Sequence, residues 1–307
     1  MMKISPIVKW ISLCLIPQIL GLQIRERSLT MSSDAFDDQY ETCAEEMESR
    51  ILQGGLLNQE KQGNLELNKA WNEAAEKWAS MKGQVSVPKG FRDEYGVAIL
   101  VYTNNQSKVY YNFNEAVRSY GSKNGGFPYH SLHFFLTRAV QLLRSSCYWK
   151  PWWVYRGMKN IHFRPEENIR FGQFSSSSTD KKVALGFGNH SFFTITSCFG
   201  VDIGRFSYFP DQKEVLIPVD EVFKVISTTK QGDSNQHVLE TTRRRCHHYN
   251  CHYLSGGHNP DCLYSGAPSV FPALFANNPL PQILGHYLTH LCASLILSPL
   301  SPQLFSG

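Results

Sequence analysis

Apolar residues in the first half of the chain recur at the spacing of helices. Over residues 65–81 the segment "LELNKAWNEAAEKWASM" is apolar at Leu67, Ala70, Trp71, Ala74, Ala75 and Trp78. This three-and-four spacing predicts a helix with one buried face. A second such face comprises Leu132, Phe135, Leu136, Ala139, Val140 and Leu143. His133 lies beside that face and is interpreted as a packed or capping histidine. Between the two helices, "GVAILVYT" at 96–103 is a short β-branched run that predicts a buried strand.

After residue 150 the pattern changes to short runs of aromatic and β-branched residues, interrupted by Gly, Pro, Ser and Asp. The runs are "PWWVYRG", "IRFGQFSSSSTD", "SFFTITS", "EVLIPV" and "EVFKVIST". Such runs predict a succession of strands. Helices first and strands afterwards indicate an α+β fold rather than alternating units around a parallel sheet. We expect one such domain over residues 25–255 of the 307-residue chain.

Both ends of the chain differ from this domain. Lys3 and Lys9 precede a short apolar stretch, which is typical of a secretory signal peptide over residues 1–24. Residues 256–307 form a largely apolar tail, and small residues occur near Ser255 and Ser265. This arrangement indicates a glycolipid (GPI) anchor signal, with a secreted product as the alternative. The expected location is therefore secreted or at the cell surface.

The net charge limits the class of partner, while the glycosylation sequons and the cysteines agree with an extracellular location. The formal net charge of +4 is far below that of a nucleic-acid-binding surface, so no nucleic-acid partner is expected. Asn105 and Asn189 each begin an Asn-x-Ser glycosylation sequon. The cysteines outside the leader and the end of the tail are Cys43, Cys147, Cys198, Cys246, Cys251 and Cys262. An even set in a secreted chain indicates disulfides, whose connectivity stays open.

Polar residues that can carry chemistry occur at three places among the predicted strands. Arg156 followed by Gly157 offers a cation beside backbone that a ligand can approach closely, which suits a phosphate. The serines at 176–178 supply hydroxyls that can orient a carboxylate and bind a ligand. Glu214 begins an apolar run, where its carboxylate can stabilise positive charge developing on a sugar.

Six segments, in this order over about residues 35–255, resemble the vertebrate ecto-ADP-ribosyltransferase family, and most of all its T-cell surface alloantigen branch. They are "AFDDQYETC", "YHSLHFFLTRAVQLL", "VYRGMK", "RFGQFSSSS", "DQKEVLIP" and "YNCHYL". The resemblance implies an N-terminal helical region and a split, mainly antiparallel β core. It also implies a monomeric ecto-enzyme that uses NAD without a metal, splitting the nicotinamide–ribose bond. ADP-ribose passes to an arginine of an extracellular or membrane protein, or to water.

The resemblance also assigns roles to residues. Arg156 would grip the NAD phosphates, with the Gly157 backbone near the nicotinamide amide. Ser176 would lie against the nicotinamide ribose and position the catalytic Glu214. Phe187 would stack on the nicotinamide. Glu214 would bind a ribose hydroxyl and stabilise the oxocarbenium ion. With no Gly-x-Gly-x-x-Gly turn, we expect NAD in a cleft between two small sheets.

The chain departs from the family pattern at Gln212, which stands where arginine-specific members carry the first Glu of a Glu-x-Glu motif. Gln212 would still contact NAD, but a neutral amide offers an arginine acceptor neither charge nor base. We therefore expect NAD glycohydrolase activity to exceed arginine transfer. Clostridial Rho-modifying exoenzymes carry Gln-x-Glu and modify asparagine, which makes an amide acceptor the third choice. Phe209 replaces a basic residue of close relatives, and an inactive surface antigen with the same fold is the alternative.

The resemblance implies disulfides Cys43–Cys251 and Cys147–Cys198. Cys246 is then a spare thiol unless the mature chain keeps Cys262 to pair with it. The segment "CHHYNCH" at 246–252 has the residue types of a metal site. Metal ligation needs reduced thiolates, which an oxidising location does not favour. No metal is expected.

Overall fold

The protein's structure, a computed structural model, describes residues 24–122, 126–145 and 150–265. The helices are α1 Ala44–Leu52, α2 Leu56–Gly63, α3 Leu65–Met81, α4 Asp93–Thr103, α5 Val109–Arg118, α6 His130–Leu143 and α7 Lys181–Gly186. The strands are β1 Arg25–Leu29, β2 Trp152–Met158, β3 Ile161–Pro165, β4 Asn168–Ile169, β5 Ser175–Ser178, β6 Ser191–Ser197, β7 Val201–Asp202, β8 Glu214–Ile217, β9 Glu221–Gln231, β10 Ser234–Tyr249 and β11 His258–Ser265. This order confirms the predicted α+β fold.

Both amphipathic helices occur where the spacing predicts them. The buried residues of α3 are Leu67, Ala70, Trp71, Ala74 and Trp78. The Asn64 side chain caps this helix by accepting a 3.0 Å hydrogen bond from the Leu67 amide, which satisfies one of the free N–H groups of the first turn. On α6, His133 is fully buried with its ring nitrogens 2.9 Å from the Tyr40 hydroxyl and 3.0 Å from the Phe36 carbonyl oxygen. His133 is therefore a packed histidine, as expected.

The strand predicted at 96–103 is wrong, because these residues form most of α4. Every residue from Tyr95 to Thr103 is buried. A helix that is apolar all round shows no three-and-four periodicity, and its sequence then looks like that of a buried strand. Asp93 and Glu94 lie in the first turn, where acidic side chains interact favourably with the helix dipole. The Asp93 carboxylate also accepts a 2.8 Å hydrogen bond from the Trp78 indole, which fastens α4 to α3.

The sheet is mainly antiparallel and splits in the middle. Its order is β4-β9-β10-β6-β2-β5-β8-β7, with β11 added to β10. The pair β10 and β6 is parallel, as is the separate pair β1 and β3, while the other pairs are antiparallel. Strands β2 and β5 share the single residue pair Tyr155 and Ser178. The sheet therefore separates into two halves beyond this pair, as expected of a split β core.

An acidic pair fastens the segment before α1 to Arg170 and to the residues that follow β10. Asp37 forms a 2.6 Å ion pair with Arg170, and both side chains are fully buried. Asp38 accepts hydrogen bonds from the backbone amides of Cys251 at 2.9 Å and His252 at 2.7 Å. Because a buried charge is costly unless paired, these contacts require the two segments to meet.

Disulfides reinforce the same end of the fold. Cys43 is bonded to Cys251, as the resemblance implies. Cys198 is disulfide-bonded, but its expected partner Cys147 lies outside the described residues, so that pairing stays a prediction. Cys246 pairs with Cys262, which joins β10 to β11.

The folded chain therefore continues beyond residue 255 into β11. Residues 1–23 and 266–307 lie outside the described part, so the leader and the anchor signal stay predictions. Within the described residues, no helix has the length and apolar character needed to cross a membrane.

Candidate active site

A cavity of about 400 Å³ lies where the sheet splits. Its walls come from β2, β5, β8, α7 and the turn between α4 and α5. The structure brings all of the residues singled out in the sequence into this lining: Arg156, Gly157, Ser176, Phe187, Gln212 and Glu214. A cavity of this volume is in the range of small-molecule sites.

Glu214 is the first residue of β8 and is only 6% exposed. Burial raises the pKa of its carboxyl group, while a hydrogen bond with Ser176 and the positive charge of Arg156 act in the opposite direction. These two contacts do not fully offset burial, so the pKa of Glu214 stays above that of an ordinary glutamate. An ionised Glu214 therefore lies in surroundings that solvate it poorly, where it would interact strongly with positive charge on a ligand.

Arg156 projects from β2 into the same cavity and is 9% exposed. One of its guanidinium nitrogens donates a hydrogen bond to the Ser176 carbonyl oxygen, which ties β2 to β5 close to the point where the sheet splits. An arginine has five N–H donors, so this contact leaves others for an anionic ligand. The cation is thereby fixed at one wall of the cavity.

Gly157 is required by the close packing of β2 against α7. A Cβ atom at this position would collide with the backbone carbonyl oxygens of Ala184 and Gly188.

The Asp180 side chain caps α7 by accepting a 2.9 Å hydrogen bond from the Lys182 amide. Phe187 follows this short helix and stands at the cavity rim with 57% of its surface exposed. An exposed aromatic ring in this position offers a face on which a planar ligand can stack.

Gln212 ends a tight turn, Pro210–Gln212, directly before β8. Lys213 adopts a left-handed conformation with a φ of 48°, which a non-glycine residue keeps only where its surroundings hold it. The Ser178 hydroxyl donates a 2.7 Å hydrogen bond to the Gln212 carbonyl oxygen. Lys213 also forms a 3.1 Å ion pair with Asp180. Together these contacts fix the backbone that carries Gln212 and leads into Glu214.

One wall of the cavity has no counterpart among the site residues predicted from the sequence. It is built from the end of α4 and the beginning of α5 and comprises Tyr102, Thr103, Asn104, Asn105 and Tyr110. The Tyr102 hydroxyl donates a 2.9 Å hydrogen bond to the Phe174 carbonyl oxygen next to β5. The only local signal for this wall is the abrupt change from an apolar run to Thr-Asn-Asn. Because the sequence predicted that run as a buried strand, it did not indicate that the end of α4 lies at the cavity.

The cysteine and histidine segment does not offer a set of free metal ligands. Donor atoms of Cys246, His248 and Cys262 lie within 4.8 Å of one another. The two cysteines are joined in a disulfide, and a disulfide sulfur is not a thiolate ligand. The His248 Nδ1 atom lies 3.1 Å from an Asp37 carboxylate oxygen.

Known proteins that are similar to this chain are ADP-ribosyltransferases. A family model described as NAD:arginine ADP-ribosyltransferase matches residues 29–247. Ecto-ADP-ribosyltransferase 5 of Bos taurus is 41% identical over 254 residues, which cover 80% of this chain and 80% of the relative. T-cell ecto-ADP-ribosyltransferase 2 of Rattus norvegicus is 41% identical over 255 residues, which cover 81% of this chain and 88% of the relative.

Solved structures agree. The crystal structure of the eucaryotic mono-ADP-ribosyltransferase ART2.2 has a TM-score of 0.65 at 39% identity, and the match covers 74% of this chain and 99% of that chain. Mutants of ART2.2 have been solved in complex with NADH and with NAD. The resemblance and the fold class are thus confirmed. The relatives are named ecto-enzymes, which confirms the expected secreted or cell-surface location.

Proposed function

The chain belongs to the NAD:arginine ADP-ribosyltransferase family, and on this premise we propose that it binds NAD in the cavity and hydrolyses the nicotinamide–ribose bond. Transfer of ADP-ribose to a protein arginine is the weaker activity in this proposal. The observation that carries it is the buried carboxylate of Glu214, held beside Ser176 and Arg156 and preceded by Gln212.

Glu214 is the catalytic residue in this proposal. As nicotinamide leaves, positive charge develops on the ribose as an oxocarbenium ion, and a carboxylate close to that carbon stabilises it. The burial of Glu214 strengthens this interaction because a carboxylate with little solvent exposure is weakly screened. Ser176 keeps the carboxylate in place through its hydroxyl.

The other lining residues bind the substrate. Arg156 pairs with the phosphates, since its guanidinium is fixed against β5 and retains further donors. Gly157 lines the cavity and offers its β2 backbone to the nicotinamide amide, and Phe187 stacks on the nicotinamide ring from the rim.

Gln212 decides the acceptor. A glutamate at this place would attract a guanidinium and take its proton, and charge-assisted bonds are about twice as strong as neutral ones. The Gln212 amide supplies neither effect, whereas water needs no such partner. Hydrolysis therefore exceeds arginine transfer, and an amide acceptor ranks after both.

One arrangement favours the alternative of an inactive surface antigen. Phe209 lines the cavity at a place where the family resemblance implies a basic residue, and a phenyl ring offers the NAD phosphates no positive charge. An antigen of this kind would leave NAD uncleaved even where it binds.

The test is nicotinamide release from NAD by the secreted protein, with a small guanidino compound present as acceptor. We expect release without acceptor labelling, loss of release in Glu214→Ala, and acceptor labelling in Gln212→Glu. Gln212→Ala serves as the control, because it also removes the glutamine but adds no carboxylate. Labelling by the unchanged protein would contradict the role of Gln212. A folded protein that releases no nicotinamide would support the antigen.

The proposal also covers the extent of the domain and its attachment to the membrane. The transferase domain spans residues 25–255 and is extended by β11, and the part of the 256–307 tail that follows β11 directs a glycolipid anchor that holds the monomer at the membrane. Release of the protein from cells by a phosphatidylinositol-specific phospholipase tests the anchor. A secreted protein without any cell-bound fraction would contradict it.

A further inference from the structure

The sequon Asn105-Gln106-Ser107 lies in the turn between α4 and α5, at the rim of the NAD cavity. Asn105 is exposed to solvent and also lines the cavity. Asn189, in the second sequon, is exposed as well. Among the described residues, however, the cavity lining contains Asn105 and not Asn189. The two sequons thus differ in their relation to the site.

Local hydrogen bonds fix the turn that presents Asn105. The Asn104 side-chain oxygen accepts a 3.0 Å hydrogen bond from the Gln106 amide. The Ser107 hydroxyl accepts a 3.0 Å hydrogen bond from the Val109 amide at the start of α5. Asn104 is buried at 8% exposure, so the turn holds one asparagine inward and leaves the next one outside. A group attached to Asn105 would stand at the cavity entrance.

We propose that Asn105 carries an N-linked oligosaccharide that keeps macromolecules away from the cavity while NAD and water enter. In forming it, the Asn105 amide nitrogen attacks the anomeric carbon of a lipid-pyrophosphate-linked oligosaccharide. A nitrogen–carbon bond forms, the bond from that carbon to the pyrophosphate breaks, and the amide loses a proton. The lipid pyrophosphate is the leaving group. The screening role rests on the proposed binding of NAD in this cavity.

An acceptor protein and NAD differ greatly in size. Specific protein–protein interfaces bury about 800 Å² on each partner, so an acceptor protein must dock on the surface around the entrance. A hydrated oligosaccharide on Asn105 occupies part of that surface and is bulky. NAD and water need only the opening. The glycan and the neutral Gln212 therefore act in the same direction, because both disfavour a protein arginine as acceptor.

The test compares Ser107→Thr, which keeps the sequon and the hydroxyl, with Ser107→Ala, which removes the sequon and leaves Asn105 in place. Both are made in a Glu214→Ala background, so that binding is measured without turnover. Peptide mass gives the glycan occupancy of Asn105. Dissociation constants are then measured for free NAD and for NAD tethered through its adenine to soluble dextran. Asn189→Gln in the same background is the matched control.

We expect Asn105 to be occupied in Ser107→Thr, and free NAD to bind the variants equally. Tethered NAD should bind Ser107→Ala at least about tenfold more tightly than Ser107→Thr, and Asn189→Gln should behave like Ser107→Thr. Because the Val109 contact makes Ser107→Ala a structural change as well, enzymatic glycan removal from folded Ser107→Thr must produce the same gain. An unglycosylated Asn105, or an unchanged ratio of the two constants, overturns the proposal. Failure of free NAD to bind the protein with Glu214 intact, as well as the Glu214→Ala variants, would instead overturn the proposed function and the screening role with it.

Discussion

The hydroxyl of Ser178 donates a 2.7 Å hydrogen bond to the backbone carbonyl of Gln212. This bond joins β5 to the turn before β8, and Ser178 and Glu214 are also paired across the two strands. Two serines of β5 therefore contact the segment around this turn, one at a side chain and the other at the backbone. Ser176 holds the Glu214 carboxylate, and Ser178 holds the backbone that places Gln212.

Ser178→Ala should lower the rate of nicotinamide release more than it lowers stability. Loss of one hydrogen bond reduces the free energy of unfolding by about 1 kcal/mol. Displacement of the turn by a fraction of an ångström can lower kcat by about tenfold to a hundredfold. Ser175→Ala is the control, because its hydroxyl is also buried but donates to the Gln173 carbonyl at 3.4 Å. Equal losses of kcat in both variants would contradict the positioning role.

Glu214→Gln should abolish most activity without destabilising the protein at neutral pH. Burial raises the pKa of Glu214, so the stability of the wild type falls as the pH rises through that folded-state pKa. The amide is not ionised and avoids this cost. We expect kcat to fall by at least about 10². The free energy of unfolding at pH 7.5 should equal or exceed that of the wild type, with the difference vanishing below the ordinary glutamate pKa. Denaturant unfolding at both pH values checks this, and a less stable variant at pH 7.5 would refute it.

Gly157→Ala should lower the free energy of unfolding, while Gly186→Ala should not. The Cβ atom at 157 collides with two backbone carbonyl oxygens, and overpacking of this kind lowers the free energy of unfolding by about 1–3 kcal/mol. At Gly186, in the last turn of α7, a Cβ atom meets nothing within 4 Å. Alanine there should be neutral or stabilising by up to about 1 kcal/mol. Thermal unfolding of the two variants, one in strand β2 and the other in helix α7, measures their stabilities and checks the prediction. A stable Gly157→Ala protein would show that β2 and α7 can separate.

Glu221 should make stability depend on pH. Its fully buried carboxyl group accepts hydrogen bonds from the Ser197 hydroxyl at 2.6 Å and the Cys198 amide at 2.7 Å. Burial nevertheless raises its pKa to about 7. The folded state then holds a proton that the unfolded state has lost, so stability declines as the pH rises from the ordinary glutamate pKa towards 7.

Between pH 5 and 8 the wild type should lose about 3 kcal/mol more unfolding free energy than Glu221→Gln. Urea unfolding at several pH values measures the difference. Parallel pH profiles for the two proteins would show that Glu221 is already ionised at pH 5. Glu167→Gln is a suitable control because that carboxylate is exposed.

The sequence by itself determined the α+β class, with helices before strands, and the positions of α3 and α6. The family resemblance carried by its ordered motifs implied the six lining residues and the Cys43–Cys251 pair. Half-buried helices and short strands leave a periodic pattern, as in α3, and a resemblance carried by ordered motifs transfers residue by residue. Tertiary structure decided the rest. The α4 run is buried on every side, so its sequence holds no period that distinguishes a helix from a strand. Only the packing of α4 against β5 brings Tyr102 and Asn105 to the cavity, because contacts between distant segments leave no trace in local spacing. The pairing of Cys246 with Cys262 depends in the same way on β11 lying beside β10.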